Sequence, residues 1–143
     1  MKDVMALIRE LAEFEKAPEA VDIDIAQLEK DGFGAEAVFK VLLAKVENRV
    51  VGMALYYPAY STWKGRMVYL EDLYVKASHR NNGIATQLMN ALISKSKKWG
   101  AKRVKWQVLD WNETAIQFYK KFNVQFDSEW VNCDLYEEEI QKY

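Results

Sequence analysis

Residues 80 to 86, R-N-N-G-I-A-T, carry an apolar, strand-like run into a helix-forming one. Backbone N–H groups at the start of a helix lack intrahelical acceptors and lie at the positive end of the helix dipole, so a glycine-containing entry into a helix can hold an anion without a cationic side chain. Gly83 permits close approach of a ligand, Ala85 leaves the first turn uncovered between Ile84 and Thr86, Asn81 and Asn82 tolerate a left-handed backbone, and Arg80 offers a charge-assisted donor. The junction reads as a phosphate cradle or as an ordinary strand-to-helix turn. Two further sets could do chemistry. Glu71 and Asp72 in YLEDLYV are adjacent carboxylates, which point to opposite faces of a regular strand unless a bulge intervenes. Tyr119 follows Asn112 by seven residues, placing both on one helical face. Taken alone, the carboxylates also read as an edge pair in solvent and the tyrosine as a core residue with a satisfied hydroxyl.

The elements that must position these residues follow from hydrophobic period. DVMALIRELAEFEK sets Val4, Leu7, Ile8, Leu11 and Phe14 at helical spacing, with Asp3 placed to cap it. IAQLEK predicts a second helix, capped by Asp24 and stopped at Gly32. The period then changes: AVFKVLLAKV and VVGMALYYPAY predict a hairpin ending near Pro58, and MVYLEDLYV a third strand. The helix after the junction keeps Ile84, Leu88, Leu92 and Trp99 on one stripe and stops at Gly100. RVKWQVLDW predicts a strand, NETAIQFYKKF a helix opened by Asn112, and two short strands with a polar tail complete the chain. Antiparallel strands first and β-α-β-α units later mean a mixed α/β sheet.

The 143 residues are half hydrophobic and 29% charged, with a net charge of −1. This composition predicts one compact unit and excludes disorder and any global attraction to nucleic acid or anionic lipid. A single cysteine, Cys133, and no secretory pattern predict a reducing, cytoplasmic setting, and no apolar run reaches the roughly 20 residues that span a bilayer. Cys133 is expected in a buried strand and His79 exposed near the loop, neither with a role. KSKKWGAKR reads as a solvated helix end, and no His/Cys/carboxylate cluster implies a metal.

R-N-N-G-I-A fits the R/Q-x-x-G-x-G/A pattern of the GNAT acetyltransferases. LIRELAEFEK, YYPAYSTWKGR, YLEDLYV and VLDWNETAIQFYKK resemble, in order and spacing, the branch holding spermidine/spermine and thialysine acetyltransferases. YSTWKGR and VLDWN are more similar to its thialysine side. The resemblance implies a single-domain α/β acyl-CoA N-acyltransferase fold over residues 1–143, with a mixed, mostly antiparallel sheet flanked by helices. It implies acetyl-CoA as cosubstrate, a primary amine of a small molecule as acceptor, no metal, and a homodimer. A protein amine as acceptor, or a non-catalytic coenzyme-binding module, are the rival readings. A Rossmann domain is excluded, because the glycine loop follows an antiparallel-type segment and lacks G-x-G-x-x-G.

Amide formation from a thioester needs a deprotonated amine, a polarised carbonyl and a proton for the departing thiolate. The resemblance implies Glu71 as the group that handles the amine proton and Tyr119 as the acid for the thiolate. It sets the backbone of Leu73, Tyr74 and Val75 along the pantetheine arm, the loop from Arg80 to Thr86 on the pyrophosphate, and Asn112 with Ala115 as a channel wall. Phe14, Glu15, Trp63, Asp72 and Glu129 become candidates for the acceptor amine. Ser61 stands where polyamine-specific members carry a further carboxylate, which favours a smaller amine. The family's usual strand before the first helix is missing from this sequence, Asn81 stands where glycine is common, Asn123 stands where glycine usually ends the helix, and the C-terminal stretch aligns only at Glu129 and Trp130.

Overall fold

The computed structural model describes residues 1–143. They fall into two compact units, Met1–Gln107 and Val108–Tyr143. The first begins with α1 (Lys2–Phe14), a 3-10 turn at Pro18–Ala20 and α2 (Ile25–Gly32), then β1 (Lys40–Val46), β2 (Arg49–Ser61) and β3 (Gly65–Val75), and closes with α3 (Ile84–Lys98) and β4 (Arg103–Lys105). The sheet order is β1-β2-β3-β4, antiparallel through β3 and parallel between β3 and β4. The mixed, mostly antiparallel sheet is therefore as expected.

Local chemistry explains the boundaries. The α1 N-cap is Met1, with no side-chain hydrogen bond; Asp3 sits inside the first turn, where it meets the helix dipole instead of capping. Asp24 caps α2 as expected, its carboxylate accepting from Gln27 N–H at 2.8 Å. Glu47 and Asn48 both have positive φ, the signature of the two-residue turn that joins β1 and β2 without splaying them. β2 does not end near Pro58 but continues to Ser61. Its pairing with β1 stops at Tyr56, so the proline, which cannot donate to a ladder, falls where that side is open.

The core lies between helices and sheet. Val4, Met5 and Leu7 of α1 pack with Leu28, Met53 and Tyr74. Leu7, Met53, Met89 and Leu92 are completely buried, each such side chain contributing roughly 1.5–3 kcal/mol. Met53 faces α1, whereas a Cβ on its neighbour Gly52 would lie 3.5 Å from Leu88 of α3, so the helices cover opposite faces of the sheet. α3 stops before Gly100, which has φ +77. Trp99 leaves the expected stripe: it is half-exposed, with the Arg66 guanidinium 5.6 Å from its ring centre.

The second unit holds α4 (Glu113–Lys120) and the short α5 (Glu137–Ile140). Asn123 takes the expected left-handed conformation, φ +53, just past α4. Three expectations fail from β4 onward. β4 ends at Lys105 rather than running to Trp111, and no strands follow α4; Cys133 is exposed and outside any strand. Alternating apolar residues in 124–136 predict strands, but no ladder partner is supplied to them and strand form needs one. No helix is long and apolar enough to cross a membrane.

Candidate active site

β4 pairs with β3 only at Met67, Val68 and Tyr69, so from Leu70 to Val75 the β3 edge away from β2 has no strand beside it. Lys76 N–H donates to the Val51 carbonyl at 2.9 Å. The alternation of an antiparallel ladder then directs the backbone groups of Tyr74 toward β2 and those of Leu73 and Val75 toward the open edge. Of the three residues expected along a ligand arm, Leu73 and Val75 thus turn backbone groups to the open edge, where Arg80 takes the Val75 carbonyl, and Tyr74 contributes its side chain to the core instead.

Beyond β3 a 3-10 turn, Ala77–His79, leads to Arg80 and then to Asn81 and Gly83, both left-handed with φ +63 and +75. Gly83 is the α3 N-cap, and the first intrahelical bond closes from Gln87 N–H to the Gly83 carbonyl at 3.0 Å. The N–H groups of Ile84, Ala85 and Thr86 therefore have no intrahelical acceptor, no side chain caps them, and no acidic residue occupies the first turn. A Cβ on Gly83 would meet no protein atom within 4 Å. The space over the helix start is open, and these residues fit a diphosphate. Asn82 Nδ2 donates to the His79 carbonyl at 3.4 Å, tying the loop to itself. Arg80, expected to reach into the cradle, turns back: its Nε donates to the Val75 carbonyl at 3.0 Å and its guanidinium lies 4.9 Å from the Phe14 ring centre and 5.5 Å from that of Tyr74.

The two carboxylates meet the exception that strand geometry allows. Leu55 pairs with Asp72 and Tyr56 with Leu70, leaving Glu71 as the extra residue of a β-bulge. Glu71 is exposed and accepts a hydrogen bond from the Tyr57 hydroxyl at 2.9 Å; the Tyr57 ring stacks on Tyr69, its partner across the ladder, at 5.3 Å between centres. Burial first, then the hydrogen bond to Glu71 and the charge of that carboxylate, push the Tyr57 hydroxyl well above the usual tyrosine range. Asp72 is half-buried, and burial, followed by the charges of Glu71 and Glu15, pushes its pKa up to about 6. Burial also raises Glu15. Three carboxylates with two stacked rings beside them supply the negative charge and the aromatic faces that attract an ammonium group.

Not every expected residue joins this cluster. Trp63 lies in the β2–β3 loop, 81% exposed. At roughly 3.3 Å per residue it is about 20 Å along the strand from Asp72. Phe14, on the last turn of α1, is half-exposed beneath Arg80. In the second unit, Asn112 caps α4 by accepting from Ala115 N–H at 3.2 Å, which links the two residues expected to act together. Tyr119 is buried two turns on, edge-to-face with Phe118. Glu129 is exposed, its N–H donating to Asp127. Sequence reasoning missed Tyr57 and Tyr69. The aromatic run YYPAY was visible, but only the β2–β3 register pairs Tyr57 with Tyr69 and brings its hydroxyl to Glu71.

Comparisons with known proteins give the family. The thialysine N-epsilon-acetyltransferase of Bos taurus is 37% identical over 150 residues, covering 98% of this chain and 88% of that protein. Spermidine/spermine N(1)-acetyltransferase-like protein 1 of Homo sapiens is 32% identical over 124 residues, covering 82% of this chain but 18% of that one. Among solved structures, an aminoglycoside acetyltransferase from an uncultured soil metagenomic sample superposes with a TM-score of 0.78 at 21% identity, over 94% of this chain and 88% of that one, a likeness of fold. The family model for the GNAT acetyltransferases matches residues 2–123. With an unpaired strand edge leading into an uncapped helix start, and with that match across most of its length, the chain belongs to the GNAT acetyltransferase family.

Proposed function

We propose that this protein is an acetyl-CoA-dependent N-acetyltransferase acting on a primary amine of a small molecule, a thialysine-like amino acid before a diamine or polyamine. The observation that carries it is the conjunction, within one unit, of an uncapped helix start free of acidic residues with a carboxylate cluster at the neighbouring strand and the end of α1. Acetyl-CoA supplies the activated acyl group. Leu73 and Val75 flank the pantetheine arm with backbone groups, and the N–H groups of Ile84, Ala85 and Thr86 hold the diphosphate. Asn82 and Asn81 shape that loop.

Glu71 takes the proton from the amine, directly or through a water molecule, while Asp72 and Glu15 hold the ammonium form on arrival and Phe14 offers a ring face. An alkyl ammonium has a pKa near 10, so proton removal before attack is required at neutral pH. Tyr119 Oη donates the proton that the departing thiolate needs. Residues 1–143 act as one catalytic domain in a cytoplasmic homodimer; Trp130, Val131, Leu135 and Tyr136, all exposed and apolar on a single chain, support burial against a second copy.

The test is thiol release from acetyl-CoA across thialysine, lysine, ornithine, spermidine and a lysine-containing peptide. Thialysine is expected to give the highest kcat/KM, since its side-chain amine is less basic than lysine's and the carboxylates are few for a long polycation. A higher kcat/KM for spermidine overturns the acceptor and leaves the acetyltransferase; a higher one for the peptide favours a protein substrate.

A further inference from the structure

We propose that Glu10 is a positioning residue for the coenzyme, anchoring the end of β3 to α1 so that the backbone around Val75 and the loop that follows are held in binding geometry; the inference rests on the acetyl-CoA reading above. Glu10 Oε1 accepts from Lys76 Nζ at 2.6 Å and Oε2 from the Tyr74 hydroxyl at 3.3 Å. One carboxylate on the helix thus grips the residues on both sides of Val75. The same segment is held again from the loop: Arg80 donates to the Val75 carbonyl and lies over the Tyr74 ring. Val75 is where the open β3 edge ends, one 3-10 turn before the diphosphate cradle.

Stability alone does not account for this arrangement. α1 is already fixed by Val4, Met5 and Leu7 in the core, and the Glu10–Lys76 pair is about one-third exposed, 35% and 34%, where ion pairs add little to folding. What the carboxylate adds to the packing of α1 on Tyr74 is a polar tie to the residues on both sides of Val75. α1 also carries Phe14 and Glu15, so this anchor sets the distance between the acceptor wall and the coenzyme loop.

The experiment measures CoA affinity by calorimetry, with acetyl-CoA KM, kcat and Tm, for wild type, Glu10→Ala, Glu10→Gln, Lys76→Met and the Glu10→Ala/Lys76→Met double variant. Glu10→Ala is expected to weaken CoA binding about tenfold, the effect of losing one charge-assisted contact, with KM rising in step and kcat at saturation within about twofold. Glu10→Gln, which still accepts from Tyr74, recovers part of the affinity. The double variant is no weaker than Glu10→Ala, because both changes remove one shared contact. Unchanged CoA affinity in a folded Glu10→Ala overturns the proposal, as does a fall in Tm and kcat together with a rise in both KM values, the mark of a loosened fold. Should Glu10→Ala fail to fold, unchanged affinity in both Glu10→Gln and Lys76→Met overturns it. Wild-type protein that binds no CoA brings down the functional reading, and this inference with it; wild-type binding with indifferent variants brings down this inference alone.

Discussion

Among the carboxylates, Asp72 is where burial and charge act most strongly. Its pKa in the folded protein, about 6, stands above its ordinary value of 3.8, so the folded state holds the proton more tightly than the unfolded chain. Its contribution to stability is therefore fully present below pH about 3.8 and is lost as pH rises through about 6. Asp72→Asn removes the charged form, and its Tm relative to wild type should rise between pH 4 and pH 7.5, by an amount worth at most about 3 kcal/mol and less for a partly exposed side chain. A Tm difference that is flat across that interval would show that Asp72 ionises freely. Turnover moves the other way: the amine KM of the wild type should increase as pH falls through about 6, when Asp72 loses its charge. Glu71→Gln keeps the acceptor for the Tyr57 hydroxyl but removes the base, so kcat should fall and its rise with pH should move to higher pH. An unaltered pH profile would transfer proton removal to water or to Asp72. Tyr119→Phe keeps the ring against Phe118 and deletes the donor, and kcat should drop by about 10²- to 10⁴-fold with little change in Tm. Single-turnover kinetics showing no loss would return Tyr119 to a packing role.

At the scale of elements, the proposed coenzyme site is divided between α3 and the β3 edge. Gly83→Val is expected to weaken CoA binding by more than about tenfold, since it places a branched side chain in the ligand's space and strains a left-handed backbone as well. Arg80→Ala should cost less, because its guanidinium serves Val75, Phe14 and Tyr74 rather than the open cradle. Calorimetry on the two variants decides: equal losses would mean that the arginine swings to the diphosphate. Caps and periodicity made most of these elements legible in the sequence. Asp24, Asn112, Gly100 and the change from helical to alternating period are local signals, and local structure answers to them. Proline at 58 misled because its meaning depends on whether a partner strand is present. The bulge at Glu71 and the Tyr57–Tyr69 stack were illegible, since both exist only in the register between two strands. Arg80 shows the same limit: its motif marks the loop, but the ring it rests on belongs to α1.

Across the molecule, a net charge of −1 hides separation. Glu15, Glu71 and Asp72 gather at the acceptor side of the sheet, whereas Lys97, Lys102 and Arg103 line an open cavity of about 370 Å³ beside Gly100. Ammonium acceptors are thus drawn by a local field and not by the whole protein, and their KM should rise with ionic strength while remaining insensitive to charge changes remote from the carboxylates.

The loop over α3 also gives the protein an age. Asn82 is exposed and precedes Gly83, whose missing side chain leaves its nitrogen free to attack the asparagine carboxamide, expel ammonia and, after hydrolysis, leave an aspartyl or isoaspartyl residue. The opening that admits a diphosphate therefore admits this reaction too, and its product sets a negative charge where an anion must bind. Stored protein should slowly divide into two populations, the newer one more acidic and poorer at holding CoA, and bound CoA should slow the division by occupying the helix start. Ion exchange with mass spectrometry of the tryptic peptide would follow it, and an Asn82→Gln variant that ages at the same rate would place the damage elsewhere.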